Sequence, residues 1–146
     1  MKKRSVIGVI LVLIILITLI NGCNSNNESP INNGSNQNIF TITGEGYFNS
    51  KECSNKLFKD KVIMLKSEYC PHCEKTQPLF EEACQEKGIT PLILDISISE
   101  QRKQIENFGL NIQYTPTFVF GCKYYVESMS KDKYLELLEV FLLENE

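Results

Sequence analysis

Histidine is nearly absent from this chain: His72 stands alone, and no methionine cluster accompanies it. A multi-histidine metal centre is thereby excluded, and a soft cation such as Cu(I) would find only cysteine thiolates. Basic clusters and aromatic ladders are also missing, so nothing points to nucleic-acid binding. The formal charge is −3 even with Lys2, Lys3 and Arg4 included, an acidic balance whose simplest meaning is solubility. No internal repeat is present, so the chain is not a repeat array. Its longest apolar run, Val6 to Ile20, is about fifteen residues, the length of a signal-peptide core and short for a membrane span.

That run follows the positive segment Lys2-Lys3-Arg4 and ends in Ile20-Asn21-Gly22-Cys23. The ending resembles the lipobox of bacterial lipoproteins, in which the cysteine is lipidated and becomes the first residue after cleavage. Asn21 departs from it, standing where a small or aliphatic residue is usual. Residues 1–22 are therefore read as a lipoprotein-type signal peptide with Cys23 as the lipidation site, the alternative being an uncleaved anchor helix. Either way the basic residues stay in the cytoplasm and the remainder is exported and membrane-tethered. Stable lipid attachment takes more than one acyl chain. Outside the cytoplasm disulfides persist, so the six cysteines are read as redox-active or structural. After Cys23, Asn24 to Asn38 is almost wholly Asn, Ser, Gly, Gln and Pro. Such a composition cannot bury enough apolar surface to order itself, so residues 23–38 are expected to be a disordered tether.

From Ile39 the patterning changes. Ile39 to Thr43 reads as a strand that Gly44 and Gly46 break, and Asn49 to Phe58 as a short helix carrying Cys53. Val62 to Ser67 is a buried strand, and the helix after it runs from Pro71 to Lys87 with Gly88 past its end. Pro91 to Ile98 is the next strand. Ser99 caps a charged helix, Glu100 to Phe108, which Gly109 closes. Phe118-Val119-Phe120 and Lys123 to Val126 flank a Gly121-Cys122 turn as a hairpin. A last amphipathic helix, Ser130 to Glu144, places Tyr134, Leu137, Leu138, Phe141 and Leu142 against one sheet face. The order β-α-β-α-β-α-β-β-α over residues 39–146 is an α/β fold with length for a single core.

Chemistry concentrates at Tyr69-Cys70-Pro71-His72-Cys73. A C-x-x-C pair between a strand and a helix reads as a redox motif. If the helix begins inside it, Cys70 lies at the helix N-terminus, where unpaired N–H groups and the dipole favour a thiolate. Pro71 suits the first helical position, and an imidazolium at His72 lowers a neighbouring thiol pKa further. A lower pKa makes Cys70 both attacking thiolate and leaving group, with Cys73 one turn on to resolve a mixed disulfide.

Three features in order are similar to the thioredoxin family over 39–146: Cys70-Pro71-His72-Cys73 between strand and helix, Pro78 within that helix, and Thr115-Pro116-Thr117 matching the family's cis-proline loop. The Pro71-His72 dipeptide resembles that of bacterial periplasmic disulfide oxidases, but the spacing to Pro116 leaves no room for their helical insertion. Glutaredoxins share C-P-x-C, yet no Gly-Gly follows the Pro116 strand. The resemblance implies a single domain with a central mixed sheet flanked by helices and no bound cofactor. Cys70 is then the nucleophile, Cys73 the resolving thiol, Pro71 and His72 the groups that tune pKa and potential, and Thr115 and Pro116 the substrate-binding loop. Thr115 would offer its backbone to an extended peptide. One departure stands out: Met64 occupies the place of the family's buried acid, leaving water, Lys66 or Glu68 to serve Cys73. In such a layout Cys84 and Cys122 fall at the pole away from the motif, where a Cys84–Cys122 disulfide and a free buried Cys84 are equal alternatives; Cys53 is left over.

These readings imply a monomeric, membrane-tethered oxidoreductase acting on cysteines of exported proteins, recycled by a membrane redox partner. His72 tips the direction toward oxidation. The competing class is a metallochaperone holding a soft metal through Cys70 and Cys73. A lone C-x-x-C supplies only two thiolates for that task.

Overall fold

The computed structural model describes residues 39–146 apart from Lys56. The expected signal peptide over residues 1–22, the expected lipidation site Cys23 and the expected tether over residues 23–38 lie outside the described residues. Val62, Ile63, Met64 and Leu65 are buried in succession, the pattern of a strand covered on both faces. They form β3 (Val62–Lys66), which pairs parallel with β4 (Leu92–Asp95) and antiparallel with β6 (Thr117–Phe120). A Gly121 turn with φ 58° leads from β6 to β7 (Lys123–Tyr125), whose outer side takes β2 (Gly46–Tyr47). The five-stranded mixed sheet thus runs β2-β7-β6-β3-β4. Two further strands, β1 (Phe40–Ile42) and β5 (Leu110–Ile112), pair parallel with each other.

Strand alternation divides the interior in two. Val62, Met64, Phe118 and Phe120 face α2 (Pro71–Glu86) and α4 (Lys131–Leu143), packing with Phe80, Ala83, Tyr134, Leu137 and Leu138. Ile63, Leu65 and Val119 face the other way, against Cys53 of α1 (Ser50–Asn55), Phe58 and Ile105 of α3 (Ser99–Asn107). Phe80 sits at the hub of the first layer, its ring 5.0 Å from Phe118 and 5.3 Å from Tyr134. The fold is thioredoxin-like: a central mixed sheet with helices on both faces and the motif helix crossing one of them.

The strands β2 and β5 depart from the expected order. Gly46 pairs with Tyr124 rather than breaking the chain, and a Cβ there would lie 2.5 Å from the Tyr124 hydroxyl oxygen. Glycine is what lets that ring pass, so the same residue reads in sequence as a break. β5 has three residues, too few for periodicity to register. The short helix ends at Asn55, and Leu57 takes a left-handed φ of 57° instead of continuing it. Ser99 is the first residue of α3 rather than its cap; its hydroxyl donates to the Glu100 carboxylate, and Ile98 holds the cap position without a side-chain bond.

Candidate active site

The turn from β3 into α2 is fastened from below. Asp95, buried at the end of β4, accepts the Ser97 N–H at 2.8 Å, and Ser97 Oγ lies 3.0 Å from Ser67 Oγ and accepts the Glu68 N–H at 3.2 Å. Ser67 in turn accepts the Tyr69 N–H through its hydroxyl and the Cys70 N–H through its carbonyl. Cys70 arrives at the N-cap of α2 in an extended conformation, with Pro71 in the first helical position. The Cys73 N–H donates to Cys70 Sγ at 3.1 Å and to the Cys70 carbonyl at 2.9 Å. The helix therefore directs one of its orphan donors at the motif sulfur.

Cys70 and Cys73 are joined as a disulfide with Cα atoms 5.2 Å apart. Cys70 is 8% exposed and Cys73 2%, so an incoming sulfur meets Cys70 first. Opposite lies the Thr115-Pro116 loop with its peptide bond cis; the Thr115 carbonyl oxygen is 3.4 Å from Cys70 Sγ. Thr117, fully buried, donates its hydroxyl to the Tyr114 carbonyl at 2.7 Å and holds this loop closed. A groove of about 520 Å³ runs past the motif, lined by Thr43, His72, Tyr114, Thr115, Pro116 and Glu127 among others. Its far wall is tied to the motif helix: Ser128 Oγ donates to the His72 carbonyl at 3.5 Å. The Met129 N–H donates to Tyr134 Oη, itself 2.5 Å from Thr76 Oγ1 on α2.

Cys70, Pro71, His72, Cys73, Thr115 and Pro116 thus stand together. Cys84 and Cys122 do not. The structural disulfide joins Cys53 to Cys122 across a Cα distance of 5.4 Å, and Cys84 is free and buried. Axial position alone brought Cys84 and Cys122 to one pole; the sheet separates them. Cys84 packs in the layer beneath α2 and Cys122 in the layer on the opposite face, with Cys53. Burial, with Glu81 adding to it, pushes the Cys84 thiol up to about 12.

Met64, in the place of a buried acid, is wholly enclosed by apolar neighbours. Sequence reasoning did not reach the polar links that fasten the site. Thr117, Ser128 and the Thr76–Tyr134 pair carry no motif, and Thr43 comes to the groove only through the β1–β2 connection. Lys66 was a candidate by position, and its Nζ donates to Gln77 Oε1 at 3.0 Å. Among the described residues no group of three or more His, Cys, Asp or Glu side chains is placed to hold a metal ion, and no helix is long and apolar enough to cross a membrane.

A thioredoxin-like fold with a C-x-x-C disulfide at a helix N-terminus, faced by a cis-proline loop, defines the class: a fold and site suited to thiol-disulfide exchange. The chain aligns at low identity with several solved structures. A DsbF homologue from Corynebacterium diphtheriae is 10% identical over 69% of this chain and 98% of its own, with a TM-score of 0.41. Thioredoxin from Aeropyrum pernix is 16% identical over 68% and 94%, TM-score 0.41. Oxidised thioredoxin from Plasmodium falciparum is 17% identical over 70% and 97%, TM-score 0.40. No protein-family model matches the chain, and no curated protein matches it in sequence. The assignment of fold accordingly stands on the topology and the site.

Proposed function

We propose that this chain is an exported, membrane-tethered thiol-disulfide oxidoreductase that exchanges disulfides with cysteines of protein substrates through Cys70 and Cys73, in the oxidising direction. The observation that carries the reading is the placement of Cys70 Sγ between the N-terminus of α2 and the Thr115 carbonyl, with the groove open beside it. A substrate thiolate attacks Cys70 Sγ, the Cys70–Cys73 bond breaks, and its electron pair leaves on Cys73. A second substrate thiolate then attacks the substrate sulfur of the mixed disulfide. Cys70 departs as a thiolate, the substrate is left oxidised and the motif reduced, to be reoxidised by a membrane partner. Export and tethering rest on the N-terminal pattern that ends at Cys23; the direction rests on the presence of His72 within the motif.

The test is a trap in the full-length chain. With Cys73→Ser, Cys70 has no internal partner and mixed disulfides with exported proteins should accumulate, whereas Cys70→Ser/Cys73→Ser should give none. Equilibration of the wild-type motif with glutathione reads the direction: a potential around −120 mV supports oxidation, and one around −270 mV points to reduction. Absence of both mixed disulfides and a reversible couple overturns the reading in favour of a soft-metal carrier.

A further inference from the structure

We propose that Lys66 is the charge that tunes the second motif cysteine: its ammonium, held under α2 by Gln77, stabilises the thiolate of Cys73. The inference rests on the oxidoreductase reading and deepens it. Lys66 follows Met64 by two on β3, so its side chain leaves the same sheet face, the one that α2 covers. Nζ donates to Gln77 Oε1 at 3.0 Å. Gln77 lies one helical turn past Cys73, so the two are neighbours on the surface of α2, with Cβ atoms about 5–6 Å apart at such spacing. The amide is held in turn, Gln77 Nε2 donating to Glu81 at 2.9 Å, which orients its oxygen toward the lysine.

The charged groups around Lys66 are few. Asp95 lies in register with it on β4 and accepts the Ser97 N–H. Glu81 stands beyond the Gln77 amide, and Glu68 is exposed on the following turn. His72 and Glu74 are exposed at the start of α2, and Tyr134 reaches Thr76 from α4. Among the described residues no carboxylate lies within ion-pair distance of Lys66 Nζ. Lys66 therefore forms no ion pair, and in this half-buried place its charge is weakly screened by solvent. With Met64 apolar beneath the motif, this cation supplies what a buried acid cannot: a permanent preference for the ionised sulfur.

The consequence falls on one bond. When a substrate thiolate attacks Cys70 Sγ, Cys73 is the leaving group, and a thiolate of lower pKa leaves faster. In the reverse direction the same charge raises the fraction of Cys73 able to attack the mixed disulfide. Its proton goes to water, and the substrate thiolate that departs takes one back.

The experiment follows the pH profile of alkylation mapped by mass to the Cys73 peptide, in the full-length chain carrying Cys70→Ser. Lys66→Met should raise the midpoint by about half a unit or more, while Lys66→Arg, which keeps the cation, should leave it near the parent value. Gln77→Leu, which releases the lysine, should shift it in the same direction as Lys66→Met and carries the test if Lys66→Met does not fold. An unchanged midpoint in Lys66→Met, or an equal shift in Lys66→Arg, overturns the proposal. Neither outcome depends on substrate turnover. A chain that exchanges disulfides with an unmoved Cys73 profile sinks only this inference; a chain that traps no mixed disulfide sinks the reading on which it rests.

Discussion

Among single residues, the two kinds of cysteine in the layer under α2 show how placement decides chemistry. Cys70 and Cys84 belong to the same apolar cluster and lie on one helix or at its cap. Cys70 receives a backbone N–H and a sliver of solvent, whereas Cys84 is fully buried with its thiol pushed up to about 12. A raised thiol pKa is a statement about stability. From about pH 9 the unfolded chain releases this proton while the folded chain keeps it until about 12. The unfolded state then binds fewer protons, so stability falls with rising pH across that window and is untouched below it. The slope approaches about 1.4 kcal/mol per pH unit. Chemical denaturation at about pH 8 and about pH 10 should show wild type losing about 1 kcal/mol more than Cys84→Ala. Equal losses in the two proteins would mean that Cys84 ionises in the native state. Alkylation mapped to the Cys84 peptide should likewise appear only on unfolding.

At the level of elements, the Cys53–Cys122 bridge does for α1 what packing does for the longer helices. α1 has six residues, too short to persist on propensity, and only Cys53 within it is buried. The bridge pins it to the β6–β7 turn across a sequence separation of 69. On the chain-entropy account, closing such a loop stabilises the fold by about 4 kcal/mol. The double variant Cys53→Ala/Cys122→Ala should therefore lose about 2–5 kcal/mol in denaturant unfolding and leave mixed-disulfide formation at Cys70 in place. Loss of trapping in a variant that is still folded would show that the bridge serves the motif directly. Legibility in sequence follows the same physics. α2, α4 and β3 are readable because caps, a proline at N1 and long apolar patterns agree with what they bury. β2 and β5 are not, since two and three residues carry no period. The partner of Cys122 is hidden for a different reason. Distance along a helix or strand can be counted from sequence, but the face of the sheet on which a loop cysteine lands depends on how α1 docks. The motif and the cis-proline loop are legible as residues, while the hydrogen bonds of Thr117, Ser128 and Tyr134 that hold them together come from tertiary packing alone.

For the whole molecule, the motif and the fold are coupled through one thermodynamic cycle. Reduction of the Cys70–Cys73 bond can occur in the folded or the unfolded chain, and folding can occur with the pair oxidised or reduced. If the folded environment favours the reduced pair, reduction must also favour the folded state by the same free energy. Each 30 mV by which the folded pair is more oxidising than the unfolded one corresponds to about 1.4 kcal/mol. Folding adds two contacts for a thiolate, the Cys73 N–H at the α2 terminus and, in our proposal, Lys66 below. An unfolded chain has none of them, and its disulfide merely restricts a four-residue loop. Brief reduction that opens the motif and spares the half-buried Cys53–Cys122 bridge, verified by alkylation mapping, should therefore raise the melting temperature of the full-length protein. For a domain of this size each 1 kcal/mol is worth about 4–8 °C, so a more oxidising pair gives a shift of several degrees. A fall of similar size would reverse the sign of the cycle, making the folded pair the better reductant and turning the proposed direction of exchange around.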